Sequence, residues 1–200
     1  MNEPIDADPD TARAIAQRNF ERLCDELPAD IVALEDALAT RLAAMPGGAA
    51  QRLRALYAAM AQISDAVAPF VACKAGCTSC CHYKVSVFPL EARLIEAWTG
   101  HRRLPTPAPV QEFHGQPCPF LKSGRCSIYA HRPMACRQHF ALTATAHWCA
   151  PERFELETFP LVQFSSAAEA FAYIIRQDGR GAPLDMRQWF GTAREGASGA

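Results

Sequence analysis

The chain has 200 residues, half of them hydrophobic, with 20 Lys and Arg against 21 Asp and Glu for a formal net charge of −1. That length makes one domain, or one domain with a helical extension, and the apolar half is enough to bury a core. The near-neutral balance argues against nucleic acid or an anionic membrane surface as the main partner. Ser64 and Asp65 interrupt the best apolar stretch, Leu53 to Cys73, so no transmembrane helix is expected. The N-terminus, Met1-Asn2-Glu3-Pro4-Ile5-Asp6-Ala7-Asp8, lacks the basic and apolar stretches of a secretory signal, and a cytoplasmic location is the expectation.

The first 70 residues read as three helices. Asp10-Thr11 is placed to cap a helix running to about Leu27, with Ile15, Phe20, Leu23, Cys24 and Leu27 as its apolar stripe. Pro28 breaks the chain, and Asp30 is placed to cap a second helix carrying Ile31, Leu34, Leu38, Leu42 and Met45. After Pro46-Gly47-Gly48 a third helix presents Leu53, Leu56, Tyr57, Met60, Ile63, Val67 and Phe70 at helical spacing. Short links favour antiparallel packing of the three. Tyr83 to Phe88 alternates weakly through Val85 and Val87, and Pro89 suits the first position of a helix from Leu90 to Trp98 ended by Gly100. Prolines 105, 107, 109 and 117 make 101–117 a loop. Ser165-Ser166 is placed to cap a helix holding Ala167, Phe171, Ile174 and Ile175 and stopped by Asp178-Gly179. A short amphipathic turn follows around Leu184 to Phe190, and the small, polar tail from Gly191 to Ala200 is expected to fray. The fold class is mainly α: an N-terminal helical region (1–70) packed on a cysteine-rich, loop-rich core (71–150), then a C-terminal helix and tail (151–200).

Nine cysteines are the most informative feature, and eight of them fall between Cys73 and Cys149. The first block is Cys73-Lys-Ala-Gly-Cys77-Thr-Ser-Cys80-Cys81. The second runs from Cys118-Pro-Phe-Leu to Cys126-Ser-Ile-Tyr-Ala-His-Arg-Pro-Met-Ala-Cys136-Arg, with Cys149 beyond. In a reducing compartment such clustering points to metal rather than disulfides, and the odd count fits a paired framework poorly. Zn–S bonds of about 2.3 Å in a tetrahedral site bring the sulfurs to roughly 3.8 Å from one another. On a straight helix Cys73 and Cys81 would lie about 12 Å apart along the axis, so the backbone must wrap. Gly76, Thr78 and Ser79 suit that wrapping. The vicinal Cys80 and Cys81 diverge, so one of them serves a second ligand set, a cluster edge, or neither. Cys24 stands apart, as a buried packing residue on a helix face.

The three ordered blocks, C-x3-C-x2-C-C, C-P-F-L and C-S-I-Y-x-x-R-P-x-x-C-R, resemble the YkgJ-type cysteine-cluster family of zinc- or iron-chelating proteins. The resemblance covers about 70–150 and implies a metal site; the clustered thiols expected to hold it are Cys73, Cys77, Cys80, Cys81, Cys118, Cys126 and Cys136, with Cys149 added from outside the motif blocks. Flagellin lysine methylases carry a similar motif, but their wider sequence is not matched, and a methylase-like modifying activity is a third reading only. The lone Gly179-Arg180-Gly181 follows a helix, not a strand, and is no nucleotide fingerprint.

Thiolate sites suit both zinc and iron–sulfur clusters. The opening C-x3-C-x2-C equals the spacing by which radical-SAM enzymes hold three irons of a 4Fe-4S cluster, and eight thiols exceed what one zinc needs. The expected cofactor is therefore an iron–sulfur cluster, 4Fe-4S, used in redox or electron transfer with a redox or other protein partner. Zinc in a structural interaction module is the alternative, and two four-cysteine zinc sites would use as many thiols. Four thiolates around either metal leave a net charge near −2, which Arg132 and Arg137 beside Cys136 are placed to offset; Lys122 and Arg125 before Cys126 are weaker candidates. His82, His131, His139 and His147 lie near cysteines; each alone reads first as a neighbour, with replacement of one cysteine as ligand the alternative.

Overall fold

The computed structural model describes residues 3–192. Among these the chain forms seven α-helices, several single 3-10 turns and two minimal two-stranded ladders. The expected fraying of the tail lies, from residue 193 on, outside the described residues.

The N-terminal helices are α1 (Pro9–Glu26), α2 (Ala29–Ala44) and α3 (Ala49–Val67). α1 begins earlier than its capping signal suggested. Asp8, not Asp10, accepts from the Thr11 backbone N–H at 2.8 Å, and Pro9 takes the first helical position, where its missing N–H costs nothing. Its buried face is Ala12, Ala16 and Leu23 rather than the bulkier stripe: Phe20 is 37% exposed, and Cys24 faces solvent. Alanines let the helix lie close, and that rotates the larger side chains outward. Cys24 as a buried packing residue is thereby corrected. α2 is entered from Pro28, with Asp30 in its first turn rather than at the cap. The α3 stripe is buried throughout, from Leu53 to Phe70 in the following turn.

α6 (Ser165–Asp178) packs on α2 and α3, so the C-terminal helix completes the N-terminal bundle. Its cap is supplied across the bundle. The Glu35 carboxylate on α2 accepts from the backbone N–H of Ser166 at 2.7 Å and of Ala167 at 3.2 Å, while the Ser166 hydroxyl accepts from Ala39 N–H. The serines therefore do not cap their own helix; a carboxylate at the positive helix end does.

α4 (Pro89–Thr99) joins the two halves. It starts at Pro89 and ends at Gly100, in accord with its sequence signals. Leu90 and Leu94 enter the bundle core, whereas Ala92 and Ile95 enter a second core with Val85, Val87, Phe120, Ile128 and Met186. The second core backs the cysteine blocks. Strand β1 (Ser86–Val87) pairs antiparallel with β4 (Leu184–Asp185), and β2 (Leu121–Lys122) pairs with β3 (Arg125–Cys126). The short helices α5 (Met134–Arg137) and α7 (Met186–Phe190) close the cysteine region.

Candidate metal centre

The first cysteine block wraps as its composition requires. Cys77 N–H donates to the Lys74 carbonyl at 3.0 Å, closing a turn whose Gly76 has φ 93°, a backbone region nearly closed to other residues. Ser79–His82 then forms a 3-10 turn, with Cys81 N–H on the Thr78 carbonyl. The second block is set by a hairpin. Ser123 (φ 48°) and Gly124 (φ 68°) are both left-handed, the pattern of a two-residue turn that matches strand twist, and it delivers Cys126 opposite Leu121. Pro133 opens α5, which carries Cys136.

These segments converge. Cys77, Cys80, Cys81, Cys118, Cys126 and Cys136 line one enclosed space of about 40 Å³, together with Arg132 and Met186. Cys80 and Cys81, adjacent in the chain, both border it. Cys73 and Cys149 do not line it, though the charges of Cys77 and Cys80 help to raise both thiols. The Cys73 sulfur accepts from Ala141 N–H at 3.2 Å, an interaction that favours thiolate. Among the described residues no three Cys, His or carboxylate side chains already stand in a ligating array. The backbone gathers the thiols on one space without setting three of them as a ligand array among the described residues.

The electrostatics define the resting state. A hydrogen bond with Cys81, reinforced by burial, drives the Cys80 thiol strongly up; burial lifts Cys118 to about 11 and Cys149 to about 12, and raises Cys73, Cys126 and Cys136 as well. Without metal these are neutral thiols, and a bound metal displaces their protons. Arg132 opposes the shift at Cys73, Cys80, Cys126 and Cys136. Its Nε donates to the Tyr129 carbonyl at 3.1 Å and its guanidinium lies 3.7 Å from the Tyr129 ring centroid, which fixes the charge beside the thiols.

Arg137 is placed differently. It is buried, donates to the carbonyls of Arg132 (2.7 Å) and Ala130 (2.6 Å), and lies over the Tyr57 ring at 4.3 Å. It fastens the turn before Cys136 to α3 and does not line the cavity. Lys122 and Arg125 are exposed on the hairpin. His131 packs near Trp98, and His139 lies edge-on to Tyr83. His82, His139 and His147 do not border the thiol cavity.

Sequence reasoning missed the residue that ties the two blocks together. Arg187 on α7 is fully buried; it donates to the carbonyls of Tyr83 (3.1 Å), Cys81 (3.5 Å), Pro117 (3.3 Å) and Gln116, and pairs with Asp185 at 3.1 Å. Asp185 also accepts from Val85 N–H at 2.8 Å, and Trp189 Nε1 donates to the Val87 carbonyl at 2.9 Å. The available signal was Asp185-Met186-Arg187-Gln188-Trp189, charged and aromatic residues inside a short amphipathic turn. Nothing in that run shows that its partners lie 70 and 100 positions upstream.

Cysteines drawn from three segments of one chain thus line one space, and it is the family comparison that supports metal binding. Residues 72–151 match the family model CxxCxxCC, described as a putative zinc- or iron-chelating domain. The family label spells two residues between its first cysteines, where Lys74, Ala75 and Gly76 make three here. No curated protein and no solved structure gives a significant match to the chain.

Proposed function

We propose that the cysteine cluster holds an iron–sulfur centre, of the 4Fe-4S type, and that the protein transfers electrons to or from a protein redox partner inside a reducing, cytoplasmic compartment. The observation that carries this reading is the convergence of six cysteines on one cavity, a donor set larger than one zinc uses. When bound, such a centre supplies one-electron redox chemistry. The chain's own part is to present thiolates, to hold Arg132 against the negative charge, and to limit water with Val85, Ile128 and Met186.

Zinc in a structural module is the second reading, favoured by the size of the space: about 40 Å³ is close to the roughly 30 Å³ share of a single water, and suits one ion. Reduction separates the two. Protein purified anaerobically should be brown, bleach with dithionite and recover its colour on reoxidation. A colourless protein with no dithionite response would leave the zinc reading.

A further inference from the structure

Charge is unevenly divided along the chain. Residues 71–150 carry nine Lys and Arg against three Asp and Glu, a net of +6, while the rest of the chain carries −7. Neither cysteine block contains a carboxylate: there is none between Asp65 and Glu91, and none between Glu112 and Glu152. A bound centre with a net charge of about −2 would leave the cysteine segment at about +4. Lys74, Lys84, Lys122, Arg125 and Arg132 make no ion pair among the described residues.

The hairpin beside the thiols concentrates this charge. Lys122 and Arg125 stand directly opposite each other across the β2–β3 ladder, and both are exposed. Like charges in facing positions destabilise a hairpin, so the stability of the fold does not account for this pair. Nor is their charge directed at the thiols. Strand alternation turns them to the face opposite Leu121 and Cys126, and Cys126 is the residue that lines the thiol space. Three residues on, Tyr129 is 40% exposed, lines the same space and carries the Arg132 guanidinium over its ring. One short segment, 122–132, thus holds three cations, an exposed aromatic ring and part of the wall of the thiol space.

We infer that segment 122–132 is the docking face for an acidic protein, with Tyr129 within the contact and Lys122 and Arg125 against carboxylates of the partner. A carboxylate seated between Lys122 and Arg125 relieves a repulsion that the chain itself leaves unanswered. Tyr and Arg are among the side chains on which such contacts most depend. The occupant is a protein rather than a nucleic acid or an anionic membrane. Those present negative charge well beyond the patch, where the rest of the chain, at −7, repels it. That the partner is an electron carrier rests on the electron-transfer reading above; the sign of its charge does not. Docking here would set such a carrier against a wall of the thiol space.

The probes are flavodoxin, an acidic electron carrier, and cytochrome c, a basic one, titrated by calorimetry into the metal-loaded protein at low salt. Flavodoxin should bind, more tightly than cytochrome c, and its affinity should fall about tenfold as salt is raised. Lys122→Glu should weaken flavodoxin binding about tenfold, since the reversal exchanges an attraction for a repulsion. Its metal content should be unchanged and its urea midpoint equal to wild type or higher, because Glu opposite Arg125 makes the ladder pair complementary. A merely structural Lys122 would move the midpoint and not the affinity. Arg41→Glu makes the same change in net charge on exposed α2 and should leave binding within about twofold of wild type. No binding of flavodoxin, equal binding of cytochrome c, or affinity retained in Lys122→Glu overturns the proposal. So does tighter binding of a thymidine oligonucleotide, which would make the patch a nucleic-acid site. Dithionite bleaching tests the electron-transfer reading separately: a colourless protein that still binds flavodoxin through Lys122 ends that reading and upholds the acidic-protein face.

Discussion

Arg187 and Asp185, two residues apart, form an ion pair at 3.1 Å in which neither side chain exposes any surface. The pair sits between the cysteine blocks, and the remaining donors of the guanidinium go to backbone carbonyls of both. A buried pair of this kind resists removal of one partner, which leaves the other charge unpaired in a poor dielectric. Arg187→Ala should lower unfolding free energy by about 3–5 kcal/mol and reduce metal per chain. Arg187→Lys should be intermediate, because an ammonium cannot reach all the carbonyls that a guanidinium fork spans. Urea midpoints with metal analysis on both variants check this; wild-type metal content in a folded Arg187→Ala would remove the clamp from the account.

Arg132 and Arg137 should separate experimentally. Arg132 lies among the thiols and Arg137 fastens a turn to Tyr57. Arg132→Gln should leave the urea midpoint near wild type. It should also lower the reduction potential, since reduction adds negative charge to a site that has lost a compensating cation. With zinc bound, it should weaken affinity in chelator competition. Arg137→Gln should instead cost about 2–3 kcal/mol of stability through its lost charged hydrogen bonds and leave the potential less altered. Identical behaviour of the two variants would contradict the different roles their partners imply.

Glu91 gives a pH dependence with a definite sign. Its carboxylate accepts from Tyr57 hydroxyl (2.6 Å), Met134 N–H (2.7 Å) and Phe88 N–H (3.0 Å), yet burial outweighs these bonds and holds its pKa above the ordinary value. The folded state therefore binds the proton more readily than the unfolded chain. Its stabilising share is complete below the ordinary carboxylate pKa and is lost as pH rises through the folded value. The stability of wild type minus that of Glu91→Gln should fall as pH is raised from about 4 toward 7. Taking the difference cancels the acid sensitivity of the metal site, common to both. A difference that grew with pH would mean that the donors, not burial, dominate.

Much of the fold was legible because its signals are local. α3 shows its stripe at regular spacing, and α4 is bracketed by Pro89 and Gly100. The cysteine blocks announced their convergence through spacing alone. What escaped depends on distant partners. Glu35 caps α6 from 131 positions away, β1 pairs with β4 near the C-terminus, and Arg187 reaches back to Tyr83. The phase of α1 was misread because apolar bulk was weighted over fit: two alanines turned inward and carried Cys24 out.

That outward position makes Cys24 a reporter. In the native, metal-loaded protein one thiol per chain, Cys24, should react quickly with Ellman's reagent, and Cys24→Ser should silence that reaction with metal content unchanged. Cys77→Ser or Cys136→Ser should release metal and destabilise the domain, because ligand binding energy is folding energy here. Loss of metal from Cys24→Ser would place that cysteine in the centre, against its position on the outer face of α1.

The most direct test of the central claim is the iron, acid-labile sulfide and zinc content of protein purified without oxygen. The account predicts iron and sulfide in equal amounts, about four of each per chain for one 4Fe-4S centre, with zinc well below stoichiometric. Stoichiometric zinc with no sulfide would contradict it.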